Sequence, residues 1–214
     1  AIGLNPNYAE TYINRGHAYL RLNQYEKAIE DCNKAIELDP NNAWAYDIRG
    51  IAYRNLGHYE RAIEDHNKAI ELDPSNADIY MNRGNTYDDF NLSERAIEDY
   101  NKSIELDPTD ADAYYNRGIA YGRLGRYERA IEDYNKAIEL NPTFADAFYN
   151  RGMAYENLGQ YEKAKEDYEK ARELNPDIAE TPTQVPEEGV PGYEAFFAIA
   201  GLLAITYLLM KRRR

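Results

Sequence analysis

The sequence predicts an all-α fold in which repeated helix pairs form a solenoid, followed by a single C-terminal transmembrane helix. Six prolines lie 34 residues apart, at positions 6, 40, 74, 108, 142 and 176, and the text before them recurs as variants of NKAIELDP. A fixed period of this length is the signature of stacked repeats. Near the C-terminus, residues 193–210 form an apolar run in which Glu194 is the single charged residue.

The period divides the chain into five full units, preceded by the end of another unit in residues 1–8. The predicted units are 9–42, 43–76, 77–110, 111–144 and 145–178. After them we expect a Pro-rich linker in residues 179–192, the transmembrane segment in residues 193–210 and a basic cytoplasmic end in residues 211–214.

Each unit has the apolar spacing of two helices. In the second unit, Tyr46, Gly50 and Tyr53 are separated by four and three residues, which places them on one helical face. A turn follows, then a second apolar stripe that Pro74 ends, because the residue before a proline is driven out of the α region. The repeated unit is therefore a helix–turn–helix.

A glycine recurs inside the first helix of every unit, where it costs about 1 kcal/mol relative to alanine. The pattern predicts that a second helix passes close to it, with a small alanine as the contact. The glycines are Gly16, Gly50, Gly84, Gly118 and Gly152, and the alanines are Ala28, Ala62, Ala96, Ala130 and Ala164.

These small and aromatic positions resemble the tetratricopeptide repeat (TPR), and the likeness covers the five units without insertions. The chain departs from the general pattern before the glycine, where the spelling NRG is similar to a TPR subclass. The arginines at 15, 49, 83, 117 and 151 each accompany an aspartate of the second helix, at 31, 65, 99, 133 and 167. A half-buried arginine needs a partner, so we expect a repeated structural Arg–Asp pairing.

The fifth unit has the polar outer face that a terminal repeat needs. Lys165 and Arg172 stand where the earlier units have isoleucine, so its second helix is predicted to cap the solenoid. Residues 1–8 show no such cap, which leaves two alternatives: the chain extends upstream, or another molecule covers that end.

The charge excludes some function classes. The formal net charge is −13, and it lies entirely within residues 1–178 because the remaining residues carry four acids and four bases. Such a surface repels nucleic acid and favours basic or polar partners. Cys32 is the single cysteine, which rules out an internal disulfide.

The residues favour a protein that is not an enzyme and needs no cofactor or metal. The sequence contains no P-loop, GxSxG or HExxH motif. Cys32 and His66 occupy the position at which other units place Tyr100, Tyr134 or Tyr168, and we interpret both as core substitutes.

The TPR resemblance implies a concave groove, lined by the first helices, that holds a peptide. Carried over by position, the candidate ligand-binding residues are Asn14, Trp44, Asp47, Met81, Asn82, Asn85, Tyr115, Asn116, Tyr149 and Asn150; Glu10, Ile13, His17, Ile51, Asp78, Asp112, Ile119, Asp146 and Met153 also lie along the groove. Asn14, Asn82, Asn116 and Asn150 could grip a peptide backbone, since an amide both donates and accepts; alternatively they brace the fold.

The carboxylate clamp of chaperone-binding TPR domains is absent from the positions that would carry it. Those positions hold Ile13, Asp47, Met81 and Tyr115 in place of lysine or arginine. An acidic, aromatic groove instead suits a basic or polar peptide, or a glycan.

Two N-x-S/T sequons, at Asn91 and Asn101, are candidate glycosylation sites. Asn91 falls at an inter-helix turn, where a glycan fits easily. Its unit differs from its two neighbours because it lacks the turn glycine seen at Gly57 and Gly125 and has Ser93 in place of Tyr59 or Tyr127.

The C-terminal run is long enough to cross a bilayer: 18 helical residues span about 27 Å. Lys211 to Arg214 follow it, and the positive-inside rule places them in the cytoplasm and the repeats outside. The arrangement resembles archaeal PGF-CTERM sorting tails, with Pro191-Gly192-Tyr193 in place of Pro-Gly-Phe. That resemblance implies cleavage by an archaeosortase and attachment of a lipid.

The sequence therefore favours a surface-displayed TPR scaffold, held to a membrane by its C-terminus, that binds a protein or peptide without chemistry. Two alternatives remain. One is a structural subunit of an extracellular head-to-tail assembly or filament. The other is a tail-anchored adaptor that faces the cytosol.

Overall fold

The computed structural model describes residues 8–178, which form ten α-helices and, within that range, no strand. The predicted all-α solenoid is thereby confirmed. The helices are α1 (Ala9–Arg21), α2 (Tyr25–Leu38), α3 (Ala43–Asn55), α4 (Tyr59–Leu72), α5 (Ala77–Asp89), α6 (Ser93–Leu106), α7 (Ala111–Arg123), α8 (Tyr127–Leu140), α9 (Ala145–Asn157) and α10 (Tyr161–Leu174).

Short polar residues start several of the odd-numbered helices. The side chains of Asn42, Asn76 and Asp110 accept a hydrogen bond from a first-turn backbone N–H of α3, α5 and α7. Each cap satisfies one of the donors that a helix N-terminus leaves without a partner.

The turn between the two helices of a pair requires a residue with positive φ. Gly57 fills this position after α3, with φ of 75°. The third unit has Asn91 instead, with φ of 59°. Asparagine is one of the few other residues that tolerates the left-handed region, so the missing glycine leaves the turn intact.

The helices stack so that α1, α3, α5, α7 and α9 line the concave side. The helices α3, α5, α7 and α9 each pack against both even-numbered neighbours, α1 packs against α2, and successive odd-numbered helices contact one another. Within residues 8–178 the even-numbered helices make no such contacts with one another. The odd-numbered helices are therefore closer together, which places them on the inner surface of a curved stack.

The glycine positions confirm the predicted close approach and correct its partner. A Cβ atom on Gly50 would lie 2.7 Å from His66 Cε1, and on Gly84 it would lie 2.8 Å from Tyr100 Cε1. The closest group is thus the side chain four residues after the predicted alanine, although the backbone oxygen of Ala96 also lies 3.3 Å from the Gly84 position. The alanines do lie on the helix that passes close to the glycine, but their side chains are not the nearest groups.

The predicted Arg–Asp pairing is confirmed in all five units. Arg83 donates from Nε and Nη2 to the two carboxylate oxygens of Asp99, at 2.8 and 2.6 Å. Arg15, Arg49, Arg117 and Arg151 make the same paired bonds with Asp31, Asp65, Asp133 and Asp167. The two-point geometry orients each guanidinium as well as neutralising it.

The arginine has a second partner that sequence reasoning did not identify. Arg83 Nη1 donates to Asn67 Oδ1 of the preceding pair, at 2.7 Å. The same bond joins Arg49 to Asn33, Arg117 to Asn101 and Arg151 to Asn135. Each arginine therefore ties its own helix pair together and also links it to the pair before.

The last described helix has a polar surface. Lys165 and Arg172 of α10 are both exposed.

Among residues 8–178, none of the helices combines the length and apolar character that a bilayer crossing needs. The predicted transmembrane segment, residues 193–210, lies outside the described residues.

Candidate functional site

The concave face carries most of the predicted groove residues, at different depths. Asn14 and Trp44 are exposed, and Trp44 is 48% accessible with its ring centroid 5.8 Å from that of His17. The other candidate ligand-binding residues, except Asp47, are half-buried: Met81, Asn82, Asn85, Tyr115, Asn116, Tyr149 and Asn150. The surface available to a ligand therefore combines amides with aromatic rings.

Asp47 differs from the prediction because it lies inside the packing of α3, α4 and α5. It is 6% exposed, and its carboxylate contacts two side chains. His66 Nδ1 lies 3.0 Å from Asp47 Oδ1, and Asn82 Nδ2 donates to Asp47 Oδ2 at 3.0 Å. A ligand in the groove would meet Asn82 before it reached Asp47.

His66 and Cys32 are core residues, as predicted. Both are fully buried and pack against the helical glycine of their own unit. His66 Nε2 has no hydrogen-bond partner within the described part of the chain. Burial raises the pKa of the Cys32 thiol to about 12, so the group stays protonated and chemically inert at neutral pH.

Of the four asparagines at the equivalent groove position (Asn14, Asn82, Asn116 and Asn150), two are bonded to other side chains of the fold. Asn150 Nδ2 donates to Tyr115 Oη at 2.7 Å, and Asn82 is committed to Asp47. Burial, more than the nearby carboxylates, raises the pKa of Tyr115 to about 12, which keeps the hydroxyl neutral in this bond. Asn14 and Asn116 make no such side-chain bond within residues 8–178 and remain the amides available for a ligand.

A polar pocket of about 260 Å³ lies between α3, α5 and α7, and sequence reasoning missed most of its lining. Its charged residues form two pairs. Arg123 Nη1 lies 3.0 Å from Asp88 Oδ2, and Arg54 Nε lies 3.4 Å from Asp89 Oδ2. Asn85, whose Oδ1 accepts from Tyr100 Oη at 2.8 Å, lines the same pocket with Asn116.

Asp88 is buried, and it explains why the third unit departs from its neighbours. Ser93 Oγ donates to Asp88 Oδ1 at 2.7 Å, so the serine that replaces a tyrosine supplies a hydrogen bond to this buried carboxylate. Burial raises the pKa of Asp88, although Ser93 and Arg123 both act against the shift. The unusual spelling DDFNLS was the available sequence signal for this pocket.

A second pocket, also about 260 Å³, adjoins the first between α7, α8 and α9. Ile119 and Arg123 line both pockets. The second pocket is bounded by Gly122 and by the side chains of Tyr127, Tyr134, Asn150, Met153 and Asn157. It is the more apolar of the two.

A larger hollow of about 630 Å³ lies on the first helix pair, around Arg15, Tyr12 and Lys34. In the inner repeats the equivalent arginine is partly covered by the preceding pair, whose asparagine binds it. Arg15 is accordingly 39% exposed, whereas the four later arginines are 17 to 20% exposed.

The two sequons lie on the surface, but their serines do not. Asn91 and Asn101 are exposed, whereas Ser93 and Ser103 are buried. Asn101 Oδ1 also accepts the inter-repeat bond from Arg117. The proposed sorting residues Pro191, Gly192 and Tyr193 lie outside the described residues.

Within the described range, no group of three or more histidine, cysteine, aspartate or glutamate side chains is arranged to hold a metal ion. The groove offers hydrogen-bond donors and acceptors, aromatic rings and fixed charges. These groups can recognise a ligand by contact.

Comparison with protein families matches residues 9–42, 32–64, 111–144 and 145–178 to the tetratricopeptide repeat, and residues 50–88 and 93–125 to a TPR repeat. A search of curated proteins gave no match.

Several solved structures are similar to the chain. A crystal structure of MamA has 31% identity and a TM-score of 0.67, with 74% of this chain and 93% of MamA aligned. MamA from Desulfovibrio magneticus RS-1 has 26% identity and a TM-score of 0.71, covering 84% and 100%. YrrB, described as a TPR protein with an unusual peptide-binding site, has 29% identity and a TM-score of 0.64, covering 81% and 90%.

Proposed function

Because this chain belongs to the tetratricopeptide repeat family, we propose that it is a scaffold that binds an extended peptide of a partner protein in its concave groove. TPR proteins are typically scaffolds and not enzymes. The observation that carries the proposal is the concave surface, on which Asn14 and Trp44 are exposed and the half-buried Asn116 lines one of two adjoining pockets. YrrB, a similar protein, is described as having a peptide-binding site.

The ligand is basic or polar. The net charge of −13 favours cationic partners through long-range attraction. Asp78, Asp112 and Asp146 are exposed in the first turns of α5, α7 and α9, along one margin of the groove. Affinity should therefore fall as ionic strength rises.

A random peptide library displayed on phage tests the groove. We expect the full chain to enrich peptides that Asn116→Arg no longer retains, because a long cation in the groove obstructs the peptide. The matched control is Glu64→Arg, an exposed site on α4 of the convex side. Equal loss of retention in both variants would place binding outside the groove.

The scaffold is held to a membrane by residues 193–210, with the repeats on the cell surface. The support is the apolar run, the four basic residues that end the chain and the likeness of Pro191-Gly192-Tyr193 to an archaeal PGF-CTERM motif. A measurement of the intact mass of the native protein tests the proposed sorting and membrane attachment. Loss of the residues beyond the linker with an added lipid supports sorting, whereas an intact Arg214 end refutes cleavage.

Head-to-tail assembly is a second candidate function, supported by the outer faces of the first and last described helix pairs. Arg15 Nη1 makes no hydrogen bond within residues 8–178, although its counterparts each bind an asparagine of the preceding pair. Glu169 of α10 stands at that asparagine position and is exposed. The carboxylate of one copy could therefore bind Arg15 of the next, and such heterologous contacts propagate.

Light scattering over a range of concentrations tests assembly. We expect Glu169→Lys to abolish any growth in mass, because it brings two cations together, and Glu166→Lys, at a nearby exposed position, to leave growth unchanged. A chain that stays monomeric at high concentration would exclude this function.

A further inference from the structure

Gly122 is a helical glycine that neither the backbone nor the packing requires. Its φ is not positive, and a Cβ atom there would meet a single neighbour, Tyr134 Oη at 3.9 Å, which is an ordinary contact. One turn earlier, a Cβ atom on Gly118 would lie 2.6 Å from Tyr134 Cε1. Gly118 is therefore needed for helix packing, whereas Gly122 leaves a space open.

The other units fill this position with larger side chains. The equivalents of Gly122 are Leu20, Arg54, Asp88 and Glu156. The second pocket of the groove opens where the fourth unit lacks such a side chain. Its volume of about 260 Å³ exceeds the roughly 150 Å³ that accommodates benzene in an engineered apolar cavity.

The lining of this pocket suits a large apolar side chain. The rings of Tyr127 and Tyr134 and the side chains of Ile119 and Met153 surround the space left at Gly122. Met153 is 43% exposed although it is hydrophobic, so it presents apolar surface to the groove. Methionine adapts its shape to an inserted side chain because it is unbranched and flexible.

Carboxylates lie at a defined distance from the pocket. Asp146 is on the same face of α9 as Asn150, Met153 and Asn157, and Asp112 holds the equivalent place on α7 with Asn116 and Ile119. Both aspartates are exposed. Seven residues of helix separate each aspartate from Ile119 or Met153, which is about 10 Å along the axis. An extended peptide covers that distance in about three residues.

We propose that the Gly122 pocket is the specificity pocket of the groove, and that it takes one leucine, methionine or aromatic side chain from a partner peptide that carries lysine or arginine about three positions away. This inference rests on the proposed function and names the peptide class. The apolar side chain fills the space at Gly122, and the cation is attracted by Asp112 and Asp146.

The experiment pans a phage library of random twelve-residue peptides against the full chain and three variants. We expect the unaltered chain to enrich peptides with the apolar–basic spacing at least tenfold over the input library. Gly122→Leu fills the pocket with the residue that the first unit has, and should lose the apolar preference. Asp112→Asn combined with Asp146→Asn should lose the basic preference. Glu128→Leu adds a leucine at an exposed site on α8 and should keep both preferences.

The outcomes separate the pocket from the groove. If peptides are enriched but Gly122→Leu retains the same apolar residue, the pocket assignment is overturned and groove binding stands. If the unaltered chain enriches no peptide, both are overturned. Self-association of the chain that Gly122→Leu abolishes would show that a second copy fills the pocket, which overturns the partner-peptide assignment. Circular dichroism on each variant verifies the fold. We expect Gly122→Leu to fold, because leucine has a higher helix propensity than glycine.

Discussion

Gly118 and Tyr134 are so close that a methyl group on the glycine would lie 2.6 Å from Tyr134 Cε1. The ring is buried, so it has little room to move away. Gly118 therefore sets the distance between α7 and α8, and the same contact recurs between Gly152 and Tyr168 at 2.8 Å.

Gly118→Ala should destabilise the protein by about 1–3 kcal/mol, because the added methyl group overpacks a close helix contact. Gly122→Ala is the matched control on the same helix and should instead stabilise by up to about 1 kcal/mol through helix propensity. Urea unfolding followed by circular dichroism measures both. Equal shifts of the two midpoints would contradict the close contact at Gly118.

Arg83→Met should lower the free energy of unfolding by about 3 kcal/mol, because it leaves the buried carboxylate of Asp99 without its cation. Asn67 also loses its donor. The control is Lys68→Met, which removes an exposed pair with Glu71 and should leave the unfolding midpoint nearly unchanged, because solvent screens the pair.

The double variant Arg83→Met with Asp99→Leu tests whether the lost stability comes from the unpaired buried carboxylate of Asp99. We expect it to recover most of the stability lost by Arg83→Met, since an apolar pair of similar size often replaces a buried ion pair without loss. Failure to recover would show that the link to Asn67 carries the stability instead.

Two buried serines of α6 should respond in opposite directions to alanine. Ser103 Oγ has no partner within the described residues, and the equivalent positions in other units are alanines such as Ala69 and Ala137. Ser103→Ala should therefore stabilise by about 1 kcal/mol, because it removes an unsatisfied buried hydroxyl. Ser93→Ala should destabilise by about 1–2 kcal/mol, because the buried oxygen Asp88 Oδ1 loses its donor. Thermal unfolding of the two variants is the measurement, and shifts of the same sign would refute this assignment.

Cys32 should resist alkylation by iodoacetamide at pH 8 while the protein is folded, and react rapidly in urea. Burial raises the pKa of the thiol to about 12, so the folded state holds the unreactive protonated form. Rapid labelling at a rate independent of urea would mean that the thiol is accessible.

The same pKa sets a pH dependence of stability. The unfolded thiol ionises near pH 9 and the folded thiol near pH 12, so the unfolded state binds fewer protons in this interval. The contribution of Cys32 to stability is therefore complete below about pH 9 and is lost as the pH rises from 9 towards 12. Comparison of unfolding midpoints with Cys32→Ala isolates the effect, since the variant lacks the ionising group.

The repeat and its helix pairs could be predicted because local signals recur with one period. The proline after each second helix, the helical glycine and the Arg–Asp spacing each have a local physical reason, and the structure contains the expected helices and ion pairs. The glycine's neighbour was predicted less well, since alanine and the residue one turn later lie on the same helical face and spacing alone does not order them by distance.

The groove residues were less predictable because position in a repeat does not specify partners. Asn82 and Asn150 share a repeat position with Asn116, yet Asn82 binds Asp47 and Asn150 binds Tyr115. Asp47 is drawn inward because the neighbouring core position holds His66, whose ring nitrogen bonds it. Such pairings depend on residues 19 to 35 positions apart in the chain.

The sequence by itself determined a solenoid of helix pairs, with an acidic surface and a paired arginine in each unit, because each of these follows from composition or from a pattern that recurs every 34 residues. The tertiary structure alone decided which polar groups remain available to a ligand. Stacking of the helix pairs turns Asp47 inward, commits Arg123 to Asp88 and opens the space beside Gly122. The physical reason is that the burial and the hydrogen-bond partners of these side chains depend on residues of neighbouring repeats. Those residues meet only when the helix pairs are packed together.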